Sequence, residues 1–174
     1  GGLPLFLTAF LGGRKLTPRE AEELFLAAIK NRDVQKTYLC VTFGRPTPPD
    51  GTLGGYLLKD ADRGIVKIVE DKQPGAKEVE TRYETIAVSG RLALLKVQLI
   101  TGRTHQLRLH LSAIGHPLLG DWLYGTEDRT LIPRPALHSH RLELTHPVTR
   151  RRLTVTAPLP EDMARLLPED MNKS

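Results

Sequence analysis

Residues Thr101 to Gly125 read TGRTHQLRLHLSAIGHPLLGDWLYG. The run joins two arginines, three histidines, an aspartate and a tyrosine to four glycines and a proline. Its periodicity predicts a helix from about His105 to Ile114, with Leu107, Leu111 and Ile114 on the buried side. Arg103 falls just before that helix. The first backbone amides of a helix lack partners and its dipole favours negative charge, so a phosphate or carboxylate is a natural guest there. The alternative is an arginine that caps the loop or pairs on the surface. Gly115 is placed to close the helix, and His116-Pro117 to make a tight turn.

The six histidines, at 105, 110, 116, 138, 140 and 146, invite a metal reading. Their spacing opposes it. His105 and His110 are offset by roughly 140° around a helix and do not share a face. His138 and His140 share a strand face, but no acid or cysteine stands at ligand spacing beside them. Tyr38 lies on a strand face with Lys36 and Cys40, opposite Leu39, Val41 and Phe43. Its ring could stack on a nucleic-acid base, or simply pack at the sheet margin.

The elements that must position these groups are also readable. A strand is expected over Leu3–Ala9. Thr17-Pro18-Arg19-Glu20 forms a capping box that starts a helix from Pro18 to about Lys30, with Ala21, Leu24, Phe25, Ala28 and Ile29 on one face. Strands follow at 36–43, 51–58, 64–69, 78–88 and 92–100, the last two forming a hairpin about Ser89-Gly90. After the central helix come strands at 136–145 and 152–156 and a short helix over 160–167. Many strands without regular alternation with helices predict an α+β fold with a mixed, mostly antiparallel sheet.

A chain of 174 residues with 40% hydrophobic content makes one ordinary domain, or one domain with a piece missing. No apolar stretch reaches the roughly 18 residues of a membrane span, and no secretory leader is visible. The lone cysteine, Cys40, fits a cytoplasmic protein without disulfides. Net charge is +5. Between residues 101 and 152 stand eight arginines, no lysine and four acids. Arginine without lysine suits planar contacts to phosphate and points toward nucleic acid.

The chain resembles the RluA-like RNA pseudouridine synthases over nearly its whole length. Thr101–Gly125 is the strongest match. Lys36-Thr37-Tyr38 resembles the family's Lys-x-Tyr strand. Leu137–Leu142, Thr145-His146-Pro147 and Ala157-Pro158-Leu159-Pro160 resemble its closing strands. The resemblance implies isomerisation of uridine to pseudouridine in structured RNA, ribosomal before transfer RNA, by a cytoplasmic monomer without metal or organic cofactor. It implies that Tyr38 stacks on the uracil and assists proton removal, that Arg103 pairs with a nucleophilic aspartate, and that Leu107 lines the base pocket. Lys36, His105 and Arg108 are expected to contact substrate, with the cluster Arg150–Arg152 as further candidates for phosphate.

The family's His-Arg-Leu-Asp signature carries that aspartate. His140-Arg141-Leu142-Glu143 mimics it, but in the penultimate strand, and is read as structural. Gly1–Phe6 resembles the stretch that follows the true signature. The nucleophile is therefore expected just upstream of Gly1, and residues 1–174 alone are expected to be inactive. A preceding RNA-binding domain of the S4 type, frequent in the family, is likewise expected outside them. Two rivals remain: a non-catalytic RNA-binding module with the same fold, and a metal enzyme built on the histidines.

Overall fold

The computed structural model describes residues 8–11, 14–30, 34–102, 105–125, 131–146 and 150–167. Strand β3 (Val34–Phe43) is the axis of the fold. Its alternation sends Leu39 and Val41 into one core cluster and Tyr38 and Cys40 into another, on opposite faces. Both faces are covered, so residues 39–42 are all buried.

Around it, β1 (Thr8–Leu11), β2 (Arg14–Lys15), β4 (Asp50–Leu53), β8 (Thr81–Ser89), β9 (Leu92–Leu99), β10 (Leu137–Thr145) and β11 (Arg152–Thr156) complete an eight-stranded sheet. Its order is β2-β1-β11-β10-β3-β9-β8-β4. The pairings run antiparallel, and Tyr38 faces Val97 on one side and Ser139 on the other. The β8–β9 hairpin forms as the sequence predicts. The α+β class is the one expected.

Helix α1 (Pro18–Lys30) starts at the capping box: the Thr17 amide donates to Glu20 Oε1 at 3.1 Å, and the Glu20 amide to Thr17 Oγ1 at 3.2 Å. The side chains of its apolar positions 21, 24, 25, 28 and 29 lie outside the described residues, as does 3–7 of the strand expected at the start. Helix α2 (Gln106–Ala113) packs Leu107 and Leu111 against the Tyr38 face of the sheet, with Ile114 half-buried beside them. It ends in a Schellman motif: His116 N–H bonds to the Leu111 carbonyl at 2.9 Å and Gly115 N–H to that of Ser112 at 3.0 Å, with Gly115 at φ 83°. The short helix α3 (Glu161–Ala164) and the turn after it help close the opposite face through Met163 and Leu167.

Two strands differ from expectation. The segment 51–58 is not one strand but β4 followed by β5 (Tyr56–Asp60), broken at Gly54-Gly55. Gly55 sits at φ 111°, where an added Cβ would meet the Val69 carbonyl oxygen at 2.8 Å. With β6 (Ile65–Val69) and β7 (Lys77–Glu78), β5 makes a separate three-stranded sheet in the order β6-β5-β7. Lys77 and Glu78 therefore pair with Leu57 and Tyr56, and the strand expected from 78 begins at Thr81 instead.

Candidate active site

The Tyr38 face of β3, the end of β9, the start of α2 and the start of β10 enclose a cavity of about 570 Å³. Lys36, Tyr38, His105, Leu107 and Arg108 all border it, joined by Gln106, Ile100 and Gly102. Five of the six residues singled out in the sequence thus meet at one place, although some 70 positions separate the first from the last. Arg103, the sixth, lies outside the described residues, between rim residues Gly102 and His105.

Tyr38 is half-buried, and among the described residues its hydroxyl has no hydrogen-bond partner. Burial pushes its phenol above the ordinary value, so the hydroxyl is neutral near pH 7 and able to donate or accept a hydrogen bond. Leu107 is 3% exposed and links the cavity wall to the core beneath it.

His105 has the left-handed φ of 55°. A non-glycine residue there carries about 1–3 kcal/mol of strain, which surrounding contacts must sustain. One contact is visible: His105 Nδ1 lies 2.8 Å from the Tyr124 hydroxyl, with the rings edge to face at 5.5 Å.

Arg108 borders the cavity but is already engaged. Its Nε and Nη2 donate to the two oxygens of Asp121 at 2.9 and 2.7 Å, and its guanidinium sits 5.1 Å over the Tyr124 ring. Asp121 is fully buried and also accepts the Leu123 and Tyr124 amides. Burial alone would raise its pKa. The hydrogen bonds from Arg108 and the Tyr124 amide, with the Arg108 charge, outweigh that and hold the carboxyl below its usual range. Only Nη1 of Arg108 remains without a protein partner among the described residues.

Beneath the rim runs a buried polar chain through Thr101, Gln106, Thr81 and His110. His110 is 3% exposed, and burial depresses its pKa despite the hydrogen bond to the Gly54 carbonyl. The sequence reading placed no function on Gln106 or His110. A glutamine and a histidine on the buried side of a leucine-rich helix were the available signal, since such groups persist only when bonded. Asp121 and Tyr124 stood in the same run, but their closure onto α2 has no local periodicity to announce it.

Three other histidines bond backbone carbonyls. His116 Nδ1 donates to the Phe43 carbonyl at 2.9 Å. His138 Nε2 and His140 Nδ1 both donate to the Ala157 carbonyl, at 3.0 and 2.9 Å. Arg141 pairs with Glu143 at 3.0 Å within β10. Arg152 reaches Glu143 at 3.8 Å and Thr145 at 3.0 Å. Among the described residues no three of His, Cys, Asp or Glu gather where a metal could be held.

The α+β sheet carries this cavity between its central strand and an arginine-bearing helix, and similarity to known proteins gives the class. Residues 18–113 match the family model described as RNA pseudouridylate synthase, and the chain belongs to that family. Within it, the chain is 37% identical over 149 residues to the uncharacterized RNA pseudouridine synthase YjbO of Bacillus subtilis, covering 86% of this chain and 51% of that one. It is 36% identical over 157 residues to the ribosomal large subunit pseudouridine synthase D of Nitrosomonas europaea, covering 85% and 44%. The solved structure of human RNA pseudouridylate synthase domain containing 1 superposes with a TM-score of 0.65 at 26% identity, covering 83% and 62%. The chain spans about half the length of the curated relatives it matches.

Proposed function

We propose that residues 1–174 are the larger part of a catalytic domain that isomerises specific uridines to pseudouridine in structured RNA. The observation that carries this is the convergence of Lys36, Tyr38, His105, Leu107 and Arg108 on one cavity. Family membership gives the reaction class, and the ribosomal relative favours ribosomal RNA as substrate.

The target uridine is swung from its stack into this cavity. Tyr38 stacks on the uracil and assists removal of the proton from C5. Leu107 lines the base pocket; Lys36, His105 and the free edge of Arg108 contact the nucleotide. In the net reaction the bond from N1 to the sugar breaks, the base turns, and a bond from C5 to the sugar forms. The C5 proton leaves and N1 gains one, so atoms balance without an outside reagent. Holding the detached base in register is the entropic task of a closed pocket. The nucleophile is an aspartate supplied from sequence upstream of Gly1, paired with Arg103. The protein works in the cytoplasm, as a monomer, without metal or cofactor.

The test is a comparison of these 174 residues with the protein extended upstream through a His-Arg-Leu-Asp signature, on a uridine-containing ribosomal RNA fragment. The extended protein is expected to form pseudouridine, and the chain alone to be slower by about 10⁴-fold or more. Equal turnover by both would refute the external nucleophile. Activity in neither, with RNA still bound, would favour a non-catalytic RNA-binding module.

A further inference from the structure

Gln106 is 1% exposed, yet the residue borders the cavity. Its bonds have a forced direction. The Glu80 carbonyl can only accept, so Nε2 is the atom that faces it, at 2.9 Å. The same Nε2 donates to Thr81 Oγ1 at 2.9 Å. Oε1 then accepts the Thr101 hydroxyl at 2.7 Å, while Thr101 Oγ1 in turn accepts the Glu80 amide at 2.9 Å. Thr81 already receives one hydrogen and gives its own to His110 Nδ1 at 2.7 Å. The direction is set by the Gly54 carbonyl, which can only accept: His110 Nε2 carries the proton and donates to it at 2.9 Å, leaving Nδ1 of the neutral ring to accept from Thr81. Each bond orients the next, and none can be reversed alone.

A leucine at position 106 would continue the apolar side of α2 at no desolvation cost. The buried amide is instead held by partners from two adjacent strands, Glu80 and Thr81 at the start of β8 and Thr101 at the exit of β9. The loop between Thr101 and Gln106 carries rim residues Gly102 and His105, and His105 is the residue in the strained left-handed conformation. Strain of that kind persists only where neighbours over-determine it. Tyr124 holds the His105 ring from outside, and Gln106 anchors the adjacent backbone from beneath.

We propose that Gln106 is a positioning residue for this site: through its bond to Thr101 it ties the start of α2 to the end of β9, and so holds rim residues Gly102 and His105 in register with the bound nucleotide. The proposal rests on the function given above. Its logic is that a displacement of about 1 Å at the rim is enough to lower the rate of chemistry by about 10²-fold.

The test uses the full-length protein with Thr101→Val, Thr101→Ser and Gln106→Leu. Single-turnover pseudouridine formation at saturating RNA, apparent KM and the folded fraction in urea are measured for each. Amide hydrogen exchange over residues 101–106 is followed in parallel. Thr101→Val and Gln106→Leu are expected to lower the saturating rate per folded molecule by about 10–100-fold while KM moves less than about threefold. Thr101→Ser keeps the hydroxyl and is expected to stay within about threefold of wild type. Exchange in the loop should quicken about tenfold or more in Thr101→Val, with β3 and β9 unchanged. Should Gln106→Leu fail to fold, Thr101→Val, at a half-exposed position, decides. A wild-type rate per folded molecule in Thr101→Val, or wild-type protection of the loop, overturns the proposal. If wild-type protein itself forms no pseudouridine, the proposed function fails, and the exchange result alone judges the staple.

Discussion

Histidines and arginines gather in two regions of this molecule, around α2 and along β10. In β10 the polar side chains turn inward on their own strand connections. His138 and His140 converge on one carbonyl of Ala157, and Arg141 and Arg152 on Glu143. Around α2 the polar chains are also bonded, but what they build is a wall. Arg108, Gln106 and His105 are each fixed by partners behind them and still border open space. Residue type does not separate the two regions. The difference is whether the hydrogen bonds consume the group or aim it.

Breaking equivalent ion pairs sharpens the contrast. Asp121→Ala leaves a nearly buried guanidinium without its counter-ion, and should cost about 3–5 kcal/mol in urea unfolding. Glu143→Ala removes the carboxylate shared by two half-exposed arginines, and should cost less than about 1 kcal/mol. Similar losses at both sites would mean that the α2 pair is no more integral than a surface one.

A smaller effect should be common to both regions. Burial depresses the pKa of His110 and of His140, and for His140 the nearby His138, Arg141 and Lys96 add to the depression. The folded state therefore binds the imidazole proton less tightly than the unfolded chain does. The stabilisation is complete above about pH 6.5 and is lost as pH falls below it. Urea midpoints should decline between about pH 7.5 and pH 5, and His110→Gln and His140→Gln should each flatten the decline. A wild-type midpoint that stays level across that range would contradict the buried neutral imidazoles.

The sequence made the residues that line the cavity legible because they obey local rules. The alternation at 36–43 told which face Tyr38 shares, the spacing of leucines told where α2 turns Leu107 inward, and Gly115 marked its end. The capping box at Thr17 was equally local. Missed features depend on long-range closure. Gly54-Gly55 splits a strand because the Val69 carbonyl comes too near for a side chain, and Val69 is far along the chain. The Gln106 staple joins positions 25 and 26 residues apart, and Arg108 meets Asp121 across a turn of 13. No periodicity encodes such pairs; a buried polar residue signals only that some partner must exist.

The central claim is that the cavity beside Tyr38, and not the histidine cluster of β10, carries the chemistry. The most direct measurement is single-turnover pseudouridine formation by the upstream-extended protein bearing Tyr38→Phe or His140→Gln, each corrected for its folded fraction. A loss of about 10²-fold or more is expected for Tyr38→Phe with little change in stability, and a wild-type rate per folded molecule for His140→Gln. A wild-type rate in Tyr38→Phe, or a comparable loss in His140→Gln, would contradict it.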